Sequence, residues 1–172
     1  MEILECSDRD PIVFSHLSVF NEDTGETKEF VGDAATGPAF DFGSTARYLS
    51  PRDLERRLTH SYLWLSGNTA VVRRDLLMDG GGFRPELAWH TDWFAFYAVA
   101  RRHGLWLLPE TLARMRERKE SYSTTARTDA IEQRKVLRAV LKHLRSPDCN
   151  DLRPIFRRHP CLFSPMIKPM LQ

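Results

Sequence analysis

Cysteine is scarce in these 172 residues: Cys6, Cys149 and Cys161 are the full set. An odd, scattered trio with no CxxC spacing argues against a disulfide framework or a structural zinc site. It leaves a reducing, cytoplasmic setting as the expectation. No apolar run approaches the ~18 residues that a membrane-spanning helix needs. The opening stretch MEILECSDRD carries acids where a signal peptide carries bases and an apolar core. An excess of charge of either sign is also missing, with 25 basic residues against 23 acidic ones. That balance speaks against nucleic acid as a partner, which selects a concentrated basic face. The GxSxG elbow, the P-loop and the GxGxxG turn are all absent, which removes the commonest hydrolase, NTPase and dinucleotide signatures. His90-Thr91-Asp92 and His159-Pro160-Cys161 hold metal-type side chains, but no further ligands stand at a recognisable spacing, so no metal site is expected in the chain.

What is present reads as α/β. Ile12 to Phe20 is rich in β-branched and aromatic residues, bounded by Asp8-Arg9-Asp10-Pro11 and by the polar turn Asn21 to Glu26, and predicts a buried strand. A second short strand is expected at Thr27 to Val31, followed by a long Gly/Ala/Ser/Thr-rich loop from Gly32 to Ser50. Ser50-Pro51 opens a helix to about Thr59. Leu63 to Val72 reads as a strand interrupted at Ser66-Gly67-Asn68, and Arg73 to Met78 as a helical turn ahead of Asp79-Gly80-Gly81-Gly82-Phe83. Thr91 is placed to cap a helix over Asp92 to His103, and Gly104 to stop it. Short extended segments follow at Leu105 to Leu108 and Leu112 to Met115. Thr128 to Leu144 has a helical period, and a proline-rich basic tail holds a docking helix near Leu152 to Arg157. Residues 1–125 are therefore expected as one α/β unit and 126–172 as a helical extension and tail.

The order of several segments resembles the C-terminal, acceptor-side half of family 2 glycosyltransferases of the GT-A fold. The segments are Ile12 to Glu26, Ser66-Gly67-Asn68, Arg73 to Leu77, Gly81-Gly82-Phe83-Arg84-Pro85-Glu86-Leu87, Asp92-Trp93-Phe94, Arg101 with Gly104, Leu108-Pro109-Glu110, Arg116, and Ser121-Tyr122-Ser123. The resemblance implies a partial GT-A, Rossmann-like layered sheet with flanking helices. It also implies transfer of a sugar from a nucleotide-sugar donor to a hydroxyl of a carbohydrate or lipid-linked acceptor, with Asp92 at the position of the general base. At a helix N-terminus Asp92 is expected to stay ionised, at some cost to its basicity; its ordinary role there is to complement the helix dipole.

Substrate contacts are implied for Asn68, Gly81, Gly82, Trp93 and Arg116. Each also has a plainer reading. Asn68 follows glycine in a turn, and Gly81 and Gly82 supply positive φ. Trp93 packs a core or rim. Arg116, with Arg118, lies on a solvated basic edge rather than on a diphosphate.

The resemblance further implies that a complete member holds Mg²⁺ or Mn²⁺ on a DxD motif in an N-terminal donor-binding half. Asp8-Arg9-Asp10 spells that motif but stands next to the Ile12 strand, where the family places the turn after a helix, so it is not read as the metal site. The donor half is expected elsewhere, and this chain alone to be inactive, with a non-catalytic binding module as the alternative. The first strand, deprived of neighbours, is expected to show an unpaired apolar edge that a second copy or a donor-half partner would cover.

Overall fold

A computed structural model describes residues 10–30, 43–59, 63, 65–118, 129–163 and 167. Asp8, most of the 32–50 loop and Ser121-Tyr122-Ser123 lie outside the described residues. The strands are β1 (Ile12–Asn21), β2 (Thr27–Phe30), β3 (Arg47–Leu49), β4 (Ala70–Val72) and β5 (Leu105–Glu117). The helices are α1 (Pro51–Leu58), α2 (Arg74–Asp79), α3 (Thr91–His103), α4 (Ala130–Arg145) and α5 (Arg153–Arg158). They form a mixed five-stranded sheet with flanking helices, an α/β arrangement.

β1 is the centre of that sheet. β5 runs parallel to it on one side, while β4 pairs antiparallel with Ile12 to Phe14 and β2 with Leu17 to Phe20 on the other. The expected unpaired edge on β1 is therefore not there. Its apolar character comes from being buried in mid-sheet, with Ile12, Phe14 and Leu17 all in the interior. With that edge goes the ground on which self-association was expected.

Three other expectations change. The two short segments after Gly104 are one strand, because the register with β1 jumps from Ser15↔Leu108 to His16↔Thr111. Pro109 and Glu110 are the extra residues at that bulge, the place in a ladder where a residue without an N–H is tolerated. The expected strand over Leu63 to Val72 reduces to β4, preceded by a 3-10 turn at Gly67–Thr69. Within the expected loop, Arg47–Leu49 pairs with the start of β5 as β3.

α3 is the hub of the packing. From Trp93 to Ala100 every residue is buried, which is the pattern of a helix covered on all sides. Phe96 meets Phe14 of the sheet edge-on, with ring centroids 5.6 Å apart. On another side Phe156 of α5 packs against Trp93, Phe94 and Tyr97. The core runs without a break from Ile12 and Phe14 through α3 to Val140, Leu144, Cys149, Leu152 and Phe156, so the helical extension shares the interior of the α/β unit. Arg102 adds a forked bond from α3 to Asp151 (Nε–Oδ2 2.7 Å, Nη2–Oδ1 3.0 Å) and a third to the Asp148 carbonyl.

Candidate functional site at the start of α3

Asp92 stands in the first turn of α3, half-buried, with its carboxylate against the 3-10 turn at Gly67–Thr69. Oδ1 accepts the Trp93 N–H at 2.7 Å. Oδ2 lies 2.5 Å from the point where a Cβ on Gly67 would stand, so the carboxylate sits directly against the Gly67 backbone. Burial pushes the Asp92 carboxyl above the usual aspartate range, overriding the N–H groups of Trp93, Asp92 and Gly67 that pull it down. The sequence expectation was the reverse, since a helix N-terminus alone favours the ionised form; desolvation wins here.

The sign of the linkage follows from that direction. Asp92's contribution to stability is fully present below the unfolded aspartate pKa and is lost as pH rises through the folded, raised value.

The turn that faces Asp92 is fixed by its own bonds. Buried Ser66 accepts the Asn68 N–H through its hydroxyl, and its carbonyl accepts both the N–H and the hydroxyl of Thr69. One helical turn further along α3, the Tyr97 hydroxyl donates to the Leu63 carbonyl. α3 thus grips the 63–69 segment twice, at Asp92 and at Tyr97. Asn68 and Gly67 are exposed, so the site opens to solvent on their side.

The chain enters α3 through a 3-10 turn at Pro85–His90, and three contacts hold it. Thr91 does not cap the helix through its side chain; its hydroxyl accepts the Arg84 N–H at 2.6 Å. Glu86 pairs with His143 of α4 at 2.7 Å, and Leu87 is fully buried.

Between them Ala88 sits at φ 48°, ψ −124°, the one non-glycine residue with positive φ among those described. An alanine there costs about 1–2 kcal/mol, against the smaller entropy advantage it has over glycine in the unfolded chain. Ala88→Gly is expected to stabilise the protein by about 1 kcal/mol, a rise of roughly 2–4 °C in a thermal unfolding scan. A fall in the midpoint would show that the turn is not strained.

The remaining candidates fall in different places. Gly81 and Gly82 end α2 in a Schellman arrangement: Gly82 N–H donates to Leu77 O and Gly81 N–H to Met78 O, both at 2.9 Å, with φ of +91° and +63°. A Cβ on Gly81 would also run into the Arg84 guanidinium, which lies 5.3 Å above the Phe94 ring.

Trp93 is 4% exposed and ringed by His90, Tyr97 and Phe156. Its ring is part of the core and offers no open face for a sugar to stack on. Arg116 pairs with Glu22 at 3.2 Å, and Arg118 joins the same carboxylate at 2.6 Å. Asp10 accepts the Trp106 indole N–H at 2.8 Å. Among the described residues no cluster of His, Cys, Asp or Glu is arranged to hold a metal ion, so they supply no donor set for Mg²⁺ or Mn²⁺.

No family model, curated protein or solved structure matches this chain. Among the described residues no helix is long and apolar enough to cross a membrane.

Gly67 belongs to the Ser66-Gly67-Asn68 segment of the ordered series, where the sequence assigns it no role of its own. It was read as part of a turn, and what marks it is its contact with a carboxylate distant in the chain.

Proposed function

We propose that this chain is the acceptor-side portion of a nucleotide-sugar-dependent glycosyltransferase with GT-A-type layering, and that Asp92 is its general base. The observation that carries the reading is the meeting of Asp92 with the exposed Gly67-Asn68 turn, two separate segments of the ordered series whose order resembles that of family 2 enzymes. A carboxylate that burial makes more basic, beside an opening to solvent, suits removal of a proton from an acceptor hydroxyl.

In that step the hydroxyl oxygen bonds to the sugar's anomeric carbon, the bond from that carbon to the nucleoside diphosphate breaks, and the hydroxyl proton passes to Asp92. Asn68, exposed and next in the chain to Gly67, is suited to hydrogen-bond the acceptor's other hydroxyls. The donor and its metal belong to residues outside this portion.

Amide chemical-shift mapping with simple mono- and disaccharides tests the acceptor site. Shifts concentrated at residues 66–69 and 90–94 are expected, and calorimetry with UDP- and dTDP-sugars plus Mg²⁺ or Mn²⁺ is expected to show no binding. Saccharide shifts elsewhere, or micromolar donor affinity for this chain alone, would sink the reading. Where a donor-binding half restores turnover, Asp92→Asn is expected to lower it by about 10²–10⁴-fold. The same variant is expected to flatten the loss of stability with rising pH that Asp92 contributes.

A further inference from the structure

We infer that Gly67 is the positioning residue for the Asp92 carboxylate, its missing side chain being the space that carboxylate occupies. The role as positioner of a base rests on the transfer reading above; the seating itself does not.

Glycine is usually required where the backbone turns left-handed, and five described glycines, Gly25, Gly43, Gly81, Gly82 and Gly104, meet that need. Gly67 does not, because its φ lies outside the positive range and any residue is at ease there. Among the described residues, what obstructs a side chain there is Asp92. The nearest atoms to a Cβ at 67 are Asp92 Oδ2 at 2.5 Å, Cγ at 3.5 Å and Cβ at 3.7 Å, and no atom of another residue is among them. The Gly67 backbone also favours the charged form of the carboxylate for which it makes room. The Ser66 bonds to Asn68 and Thr69 keep the turn from backing away. With Trp93 N–H on Oδ1 and the Gly67 turn against Oδ2, the carboxylate stands between elements joined by the Tyr97–Leu63 bond.

The consequence is a reversal of sign that a merely structural glycine would not show. In the wild-type background, Gly67→Ala displaces the carboxylate or the turn and is expected to lower the unfolding midpoint by about 2–4 °C. In an Asp92→Ala background the obstruction is gone, and the same substitution restricts only the unfolded chain. There it is expected to raise the midpoint by roughly 1–3 °C.

A second readout follows the carboxyl itself. The ¹³C titration of Asp92 is expected to move in Gly67→Ala and to stay in place in Asn68→Ala, whose side chain is exposed. Destabilisation of equal size in both backgrounds, or an Asp92 titration unmoved by Gly67→Ala, would overturn the inference. A failed saccharide-mapping experiment with the reversal intact would instead remove the transferase reading and leave the seating of Asp92 established.

Discussion

Gly104→Ala is expected to cost about 4 kcal/mol, from roughly 1–3 kcal/mol of backbone strain and a similar amount for forcing a methyl into occupied space. Gly104 joins α3 to β5 with φ +81° and ψ −173°, a region that essentially only glycine enters. A Cβ there would overlap the Tyr48 hydroxyl and stand 2.5 Å from Tyr48 Cζ and 2.6 Å from the Leu49 carbonyl oxygen. The tyrosine cannot swing away without giving up its bond to the His103 carbonyl at 2.6 Å. Leu49 cannot shift either, since it is paired in register with Leu105. The midpoint is expected to fall by ~8–16 °C, as read by calorimetry or circular dichroism. A fall of less than about 2 °C would mean that the α3–β5 junction is wrongly described.

Phe156→Ala is expected to cost about 3–5 kcal/mol, the usual range for emptying a buried phenylalanine site. The ring is 2% exposed and touches four others: Phe163 at 5.4 Å, Trp93 at 5.7 Å, Phe94 at 6.1 Å and Tyr97 at 6.4 Å between centroids. Trp93, Phe94 and Tyr97 are locked into α3 and have little room to collapse into the cavity. Because Trp93 follows Asp92 directly, loosening α5 also reaches the site. Hydrogen exchange is expected to quicken at the Trp93 amide as well as in α4 and α5. By contrast the exposed ion pairs of Glu22 with Arg116 and Arg118 belong to a class worth about 0–1 kcal/mol, so their loss should pass almost unnoticed. If Phe156→Ala unfolds at the wild-type temperature, the extension is an appendage rather than part of the core.

The local patterns in the sequence carried most of the elements. α3 with its glycine stop, the proline-opened α1 and the periodic α4 all fell within a residue or two of their expected ends, because capping and periodicity are written in neighbouring residues. What could not be read that way depends on partners far along the chain. The apolar run of β1 told of burial but not of which strands flank it, so the edge was misplaced. Leu105 to Met115 looked like two pieces because Pro109 breaks the propensity, while pairing with β1 carries the strand past it. At the site, Asp92 stood out by residue type and position. Its environment did not, since the desolvation that raises its pKa comes from the three-dimensional packing around it. Gly67 and Ala88 were invisible for the same reason: one is defined by a carboxylate from another element, the other by a backbone angle that its residue type argues against.

The parallel pairing of β1 with β5 also sets a schedule for synthesis. Val13 has Trp106 as its partner and Asn21 has Glu117, so the central pair of the sheet cannot form until most of the chain has been made. At about 5–20 residues per second a ribosome takes on the order of ten seconds to cover that interval. Until α3 is made, Ile12, Phe14 and Leu17 have among the described strands only the antiparallel β2 and then β4 beside them, and the β5 side of β1 stays open to the end of that interval. A nascent chain halted before Leu105 should therefore engage hydrophobic-binding chaperones through β1, and one extended past Glu117 should release them.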